Sequence, residues 1–394
     1  MKSLIVVHAE FEAHWPFVAD HWLERWSDQG ETELIRLARG DRRTVQEGVV
    51  APQQVTRLAC LGVPVDDAED GACLADFSAL REAAFANAYG HGNLSETCRA
   101  ALRSRGVRVY TQVSEGFWGE SVAEFALALT ICGLRRIPQL YHEMLADHAA
   151  WDRYAPENNQ GPGQLGAQFS DDVRFANGTI TGKRVRIVGA GNIGSRYASF
   201  ASMMGAEVAA WDPFAPEPNF HRAGSRREWH LGSLVQDAEI FAPMLPISDS
   251  TRGLITASHI DALPTGCLVV LATRAGICDV PALRRRVLAD ELTLAADVFD
   301  IEPLPLGDPL LGRHNVVHTP HIAGRTRDAN VQWVERCWCN SSAASREGDG
   351  WTRRASVRKS MSMAARRPTL TGLVSTVDRP GPPPPIEVHT PSRP

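Results

Sequence analysis

Short apolar runs recur along the chain as far as about residue 335, each closed by turn residues and separated from the next by longer mixed stretches. Residues 4–7, 57–61, 83–88 and 107–110 form one set. Residues 185–188, 208–211, 240–243, 267–271, 293–296 and 315–318 form a second. Most are continuous blocks, the pattern of strands buried on both faces of a parallel sheet. Between them, residues 120 to about 136, 195–204 and 282–288 read as helices. Such alternation predicts an α/β protein built on doubly wound parallel sheets. Residues 151–178 are rich in Gly, Gln, Asn and Asp, lack any period, and read as a long loop or arm.

The second set opens on the most informative segment. The run 185–188 leads into Gly189-Ala190-Gly191-Asn192-Ile193-Gly194, a helix follows, and the next run leads into Asp212. Gly189 permits the tight turn, Gly191 lets backbone approach a pyrophosphate, and Gly194 lets the helix pack close to the strand. The helix N-terminus offers N–H groups and a partial positive charge to phosphates. Asp212 can accept hydrogen bonds from a ribose diol and repels a 2′-phosphate, and Pro213-Phe214 supply no Arg to bind one. NAD is therefore favoured over NADP, with Arg222, Arg226 and Arg227 the residues that could fold back against that preference.

Ligands of open parallel sheets sit beyond the carboxyl ends of the strands. This rule singles out Arg274, Asp297 and His321 after three of the later runs. It also singles out the Gly-rich loop Tyr89-Gly90-His91-Gly92-Asn93 after an earlier one.

A hydrophobic content of 44% over 394 residues suits about two domains, and a net charge of −5 gives no reason to expect nucleic acid. The longest apolar stretch, 125–134, is well short of a membrane span, and the first run is too short for a signal peptide. Eight cysteines are scattered, and Cys337 with Cys339 lack zinc-ligand spacing. No metal is expected, and reduced thiols in a cytoplasmic protein are. From Cys337 onward nine Arg or Lys face four Asp or Glu, eight prolines appear, and the period is lost. That tail reads as disordered and resembles out-of-frame translation of a GC-rich gene, so no function is placed on it.

Several blocks in order resemble the NAD-dependent D-isomer-specific 2-hydroxyacid dehydrogenases over roughly residues 80–335. Glu120-Ser121-Val122-Ala123-Glu124 with Leu134-Arg135-Arg136 is similar to the family's interdomain helix. The glycine segment with Asp212 is similar to its cofactor fingerprint, and Ser250-Thr251-Arg252-Gly253-Leu254-Ile255 to a segment after the next strand. Ala272-Thr273-Arg274-Ala275-Gly276, Ala296-Asp297-Val298-Phe299-Asp300-Ile301-Glu302-Pro303 and Thr319-Pro320-His321-Ile322-Ala323-Gly324 resemble its Arg, Glu and His blocks. Leu271 departs from a usual Asn, Ala275 from a usual Gly, and Met244 from a frequent His. No Arg near Cys60 matches the phosphate-binding Arg of phosphoglycerate-specific members.

The resemblance implies two Rossmann-like domains around an interdomain active-site cleft. A substrate-binding domain would take residues 1–121, completed by 310–336, and an NAD-binding domain residues 122–309, leaving 337–394 as the atypical tail. It further implies a homodimer, with the 137–178 segment reaching toward its partner. Gly189, Gly191, Asn192, Ile193, Gly194 and Asp212 would hold the cofactor from one side. Pro246, Ala272, Thr273, Arg274, His321 and Gly324 would complete that site, with Asp297 holding the nicotinamide ring. Gly90, His91, Gly92 and Arg274 would bind the substrate.

The implied reaction passes a hydride between NAD(H) and a small 2-keto or 2-hydroxy acid. It needs a proton for the developing alkoxide, which His321 would supply, with Glu302 orienting the ring and favouring its charged form. Arg274 would clamp the substrate carboxylate bidentately and polarise the keto oxygen. On spacing alone His314 and His318 compete with His321, and the resemblance decides between them. Formate or phosphite oxidation on the same scaffold, or a non-enzymatic NAD-sensing corepressor, are the competing readings.

Overall fold

Thirteen strands among the described residues assemble into two sheets in the computed structural model, which describes residues 2–66, 73–87, 90–91, 94–111, 117–146, 148–151 and 171–343. The first sheet comprises β1 (Ser3–His8), β2 (Thr32–Leu37), β3 (Arg57–Leu61), β4 (Glu82–Asn87), β5 (Gly90–His91) and β6 (Arg108–Thr111). Its order is β2-β1-β3-β4, with β6 parallel to β4 and the two-residue β5 antiparallel to the end of β4. The second sheet comprises β7 (Arg184–Val188), β8 (Glu207–Trp211), β9 (Arg226–Glu228), β10 (Ile240–Pro243), β11 (Leu268–Leu271), β12 (Thr293–Ala296) and β13 (Val316–His318). Its order, β13-β12-β11-β10-β7-β8-β9, is parallel throughout, the doubly wound pattern whose switch point lies between β7 and β10. Both sheets lie in one unit, Met1–Ser342. The second unit, Ala343–Pro394, falls outside the described residues apart from Ala343, the last residue of a helix.

The helices that position the site are α1 (Val18–Ser27), α2 (Glu96–Ser104), α3 (Phe117–Arg135), α4 (Ile137–Ala146), α5 (Asn192–Met203) and α6 (Arg327–Ala343). α3 carries the chain from the first sheet to the second. Its Val122, Ala123, Ala126 and Leu129 bury into the core that also holds Val185, Ile187 and Leu268. A Cβ on Gly133 would come within 2.8 Å of the Leu268 side chain, so the helix sits closer to β11 than an alanine would allow. α6 returns to the first sheet, where Ala329, Trp333 and Val334 pack with Ile5, Val7, Trp22 and Trp26.

The central strands match the continuous apolar runs, and β7 shows how a charge is accommodated in one. Arg186 is 1% exposed. Its guanidinium donates to both Asp237 carboxylate oxygens, at 2.7 and 2.6 Å, and to the Glu207 carbonyl at 2.9 Å. A buried cation of this kind survives only when its donors are matched.

Several expectations are corrected. β2 and β9 are absent from the apolar runs because both are edge strands with charged positions; Arg36 on β2, for example, pairs with Glu12 and Asp20. β13 pairs with β12, so the return to the first sheet starts after His318 rather than at residue 310. The division at 121 falls inside α3, and the tail boundary at 337 falls inside α6. In the 137–178 segment, α4 occupies 137–146 and a short 3-10 turn occupies His148–Trp151; of the loop expected over 151–178, residues 152–170 lie outside the described residues and 171–178 form neither helix nor strand. Cys73 and Cys98 are joined as a disulfide with Cα atoms 5.3 Å apart, against the expectation of reduced thiols. A separation of 25 residues gave no spacing signal for that pair.

α6 is held to α1 by one carboxylate. Glu335 accepts two hydrogen bonds from Arg25, at 2.6 and 2.5 Å, and one from His21 at 2.7 Å. Burial pushes its carboxyl up, but the bonds from Arg25 and His21 outweigh that and hold it below its ordinary value. Glu335→Gln is therefore expected to destabilise the chain by about 1 kcal/mol at neutral pH, a few degrees in Tm. Because the folded carboxyl is the stronger acid, the stabilisation is whole above the ordinary glutamate range and is lost as pH falls through the lowered value. Melting curves of both proteins should converge in acid.

Candidate active site

The β7–α5 turn is a glycine cradle. Gly189 has φ +102°, in the left-handed half of backbone space, and a Cβ there would meet the Leu245 side chain at 2.7 Å and the Met244 carbonyl at 2.9 Å. A Cβ on Gly194 would collide with the Gly189 carbonyl oxygen. Gly191, the N-cap of α5, has no side-chain cap, and a Cβ on it would meet nothing within 4 Å. The helix therefore starts with uncapped N–H groups beneath open space, at the switch point of the sheet, as a pyrophosphate requires. Asn192 begins α5 beside Gly119 of α3, and Ile193 packs on the core.

Asp212, just beyond β8, ties that cradle across the sheet. One carboxylate oxygen accepts from the Ala190 N–H at 2.9 Å; the other accepts from Phe214 and Ala215 at 2.9 and 3.0 Å. Lone pairs remain on both oxygens for a ribose diol. Asn219, which the sequence did not single out, donates to the Ala190 carbonyl at 3.0 Å and fixes the same turn. Arg226 is paired with Glu228 at 2.9 Å, and Arg227 lies 3.4 Å from Glu217 with its guanidinium 4.1 Å over the Trp229 ring. Opposite, Met244 packs against the turn in place of the usual His, and the Pro246 carbonyl accepts from the Thr251 hydroxyl at 2.6 Å.

Arg274, Asp297 and His321 follow the neighbouring strands β11, β12 and β13. Ala272 and Thr273 are buried, the Thr273 hydroxyl donating to the Pro243 carbonyl at 3.2 Å. Arg274 is exposed, and one of its nitrogens donates to the Thr273 carbonyl at 2.7 Å. Among the described residues no carboxylate pairs with it, whereas Arg284, Arg285, Arg286 and Arg313 each have one. The remaining N–H groups of Arg274 are free to meet an anion.

His321 and Glu302, 19 residues apart in sequence, meet: Nδ1 lies 2.6 Å from a Glu302 oxygen. The second Glu302 oxygen accepts from the Phe299 N–H at 2.8 Å, so the carboxylate is itself oriented. His314, by contrast, pairs with Asp290 at 3.1 Å, before β13 and β12 begin and so at the opposite ends of these strands. Asp297 is fully buried and accepts from Thr319, Ile322 and Ala323 in the His321 loop. Two positions without an assigned role complete that loop. Ser121 on α3 donates to the Ala323 carbonyl at 2.6 Å, and Trp118 packs against Gly324, where a Cβ would lie 3.2 Å from its ring. Gly90 and His91 form β5, while Gly92 lies outside the described residues, as do Tyr89 and Asn93.

Residues 134–323 match the sequence profile of the D-isomer specific 2-hydroxyacid dehydrogenase, NAD binding domain. That segment, just under half of the chain, is similar to the NAD-binding domain of the D-isomer-specific 2-hydroxyacid dehydrogenases. The chain is 29% identical over 212 residues to the D-3-phosphoglycerate dehydrogenase of Archaeoglobus fulgidus, covering 54% of this chain and 36% of that protein. To the glyoxylate reductase of Aeropyrum pernix it is 27% identical over 255 residues, 62% of this chain and 68% of that one. Matches to three curated relatives span only 36%, 36% and 50% of their lengths. The solved phosphoglycerate oxidoreductase of Rhizobium etli shares the fold with a TM-score of 0.62 at 19% identity, over 88% of this chain and 95% of that one. The NAD complex of the Lactobacillus delbrueckii D-isomer specific 2-hydroxyacid dehydrogenase does so with a TM-score of 0.61 at 17% identity, over 89% and 99%. The dehydrogenase fold thus brackets both sheets, and its NAD-binding half is the one that the cradle at Gly189–Gly194 fits. Among the described residues, no helix is long and apolar enough to cross a membrane.

Removing the Asp212 carboxylate should weaken NADH binding and narrow the preference for NADH over NADPH. Fluorescence titration of wild type and Asp212→Ala with both cofactors checks this, and equal affinity of wild type for the two would refute the assignment.

Proposed function

We propose that the chain is an NAD-dependent dehydrogenase that interconverts a small 2-keto acid and its 2-hydroxy acid, acting in the cytoplasm where NADH is at hand. One observation carries the reading: Glu302, after β12, and His321, after β13, are paired at 2.6 Å, beyond the two strands that follow the one bearing the unpaired Arg274. When bound, NAD(H) supplies or accepts the hydride. Gly189, Gly191, Gly194 and Asp212 would hold it, with Pro246, Ala272 and Thr273 on the facing side.

The Glu302 carboxylate accepts from Nδ1–H, which leaves Nε2 as the position that exchanges a proton with substrate. During reduction, Nε2–H protonates the carbonyl oxygen as negative charge develops there; during oxidation the same nitrogen removes the hydroxyl proton. Arg274 binds the substrate carboxylate through its free N–H groups and fixes the keto carbon relative to His321. Backbone N–H groups of the loop beginning at Gly90 would hold the same carboxylate from the first sheet. A Glu in partnership with the His favours this chemistry over formate oxidation, where the family arrangement is Gln-His.

A panel of 2-keto acids with NADH, and of phosphite and formate with NAD, tests the reading; turnover of phosphite alone, or of nothing, would overturn it. With the preferred keto acid, His321→Ala should lower kcat by about 10²–10⁴-fold, the usual contribution of a general acid. Arg274→Lys should raise KM at least about tenfold and lower kcat as well, because a bidentate clamp becomes a point charge.

The same reading includes a homodimer. Ile137, Tyr141, Met144 and Leu145 of α4 are all exposed and fall at i, i+4, i+7 and i+8, a single apolar stripe. Tyr141→Glu combined with Leu145→Glu should convert a dimer to a monomer near 43.0 kDa in light scattering. A wild-type monomer at micromolar concentration would remove the proposal.

A further inference from the structure

His321 has φ +56°, a left-handed backbone that side-chain-bearing residues adopt only when their surroundings impose it. The consequence is geometric. A left-handed residue turns the N–H groups of the following residues toward one side, forming a small concave nest that suits an anion. Here the anion comes from the protein. One oxygen of Asp297 accepts from the Ile322 N–H at 3.0 Å and the Thr319 hydroxyl at 2.6 Å, and the other accepts from the Ala323 N–H at 2.8 Å. Asp297 is 0% exposed and no Lys, Arg or His among the described residues pairs with it, so these three donors are what offsets its burial. Its own N–H donates to the Leu271 carbonyl at 2.8 Å, which fastens the carboxylate to the ends of two strands at once.

We propose that Asp297 is a positioning residue: its carboxylate fills the nest made by the left-handed His321 turn and thereby fixes where the imidazole stands. The proposal rests on the reading of His321 as the proton-transferring group, and it differs from a role in which Asp297 serves the nicotinamide ring. The imidazole is then held at two places. Glu302 fixes the ring at Nδ1, and Asp297 fixes the backbone from which the ring projects. Ser121 braces the far side of the turn through the Ala323 carbonyl. An asparagine cannot replace the aspartate, because its amide offers one acceptor oxygen and turns an N–H donor toward the Ile322 or Ala323 N–H.

Two variants and three measurements test this. In Asp297→Asn, amide hydrogen exchange of the peptide spanning Ile322 and Ala323 should accelerate at least about tenfold, kcat for the preferred keto acid should fall at least about tenfold, and the NADH Kd should stay within about twofold. Thr319→Val removes one donor and should reproduce part of the loss in kcat, again without moving the NADH Kd; it also carries the test if Asp297→Asn fails to fold. Weakened NADH binding with unchanged exchange would overturn the proposal and give Asp297 to the nicotinamide ring. Faster exchange with undiminished kcat would overturn it too. If wild type turns over no keto acid, the dehydrogenase reading falls on that assay alone, and the positioning role falls with it only if exchange at Ile322 and Ala323 is also unchanged in Asp297→Asn.

Discussion

Helix α5 can lie against β7 only because Gly194 presents a hydrogen, not a Cβ, to the Gly189 carbonyl. Much of the site depends on that approach. With α5 in place, Tyr197 reaches the Thr130 hydroxyl of α3 at 2.8 Å in the buried core, and Gly119 accepts the Asn192 side chain where a Cβ would come within 2.7 Å. α3 is thus docked at two levels, and from its first turns Ser121 and Trp118 brace the loop that carries His321. A constraint on one carbonyl in the cofactor turn is transmitted, through one rigid helix, to the residue that would handle the proton.

Two buried ionic groups in the second sheet illustrate different solutions to the same cost. Arg186 reaches outward through its long side chain to the half-exposed carboxylates of Asp237 and Glu207. Asp297 has a short side chain and no cation to meet among the described residues, so it is matched by dipoles: two backbone N–H groups and a hydroxyl. Dipoles fixed by the fold have a direction, which is why the second solution also orders a loop while the first only satisfies a charge.

The sequence made the central strands legible because burial on both faces leaves continuous apolar text, as in β3 and β12. β2 and β9 escaped because an edge strand needs only one apolar face and tolerates charge. The glycine turn could be read for the same reason it works, since each glycine answers a steric demand that no other residue meets. The pairing of His321 with Glu302 rested on the resemblance, because a contact between residues 19 apart leaves no trace in local pattern. What escaped altogether were Asp297's attachments to the His321 turn, which require knowing the backbone torsion at His321, and the Cys73–Cys98 bond, which requires knowing that α2 packs over the loop before it.

The chain crosses between the sheets twice, outward along α3 and back through the segment after β13 that enters α6. Arg274 and Glu302 lie between those crossings and His321 lies on the second, whereas Gly90 and His91 lie before the first. On the proposed function, the groups that react and the first-sheet loop that would help to hold the substrate come from separate stretches of the chain. Substitutions in the first sheet would then change which acid is admitted while leaving Arg274, Glu302 and His321 in place.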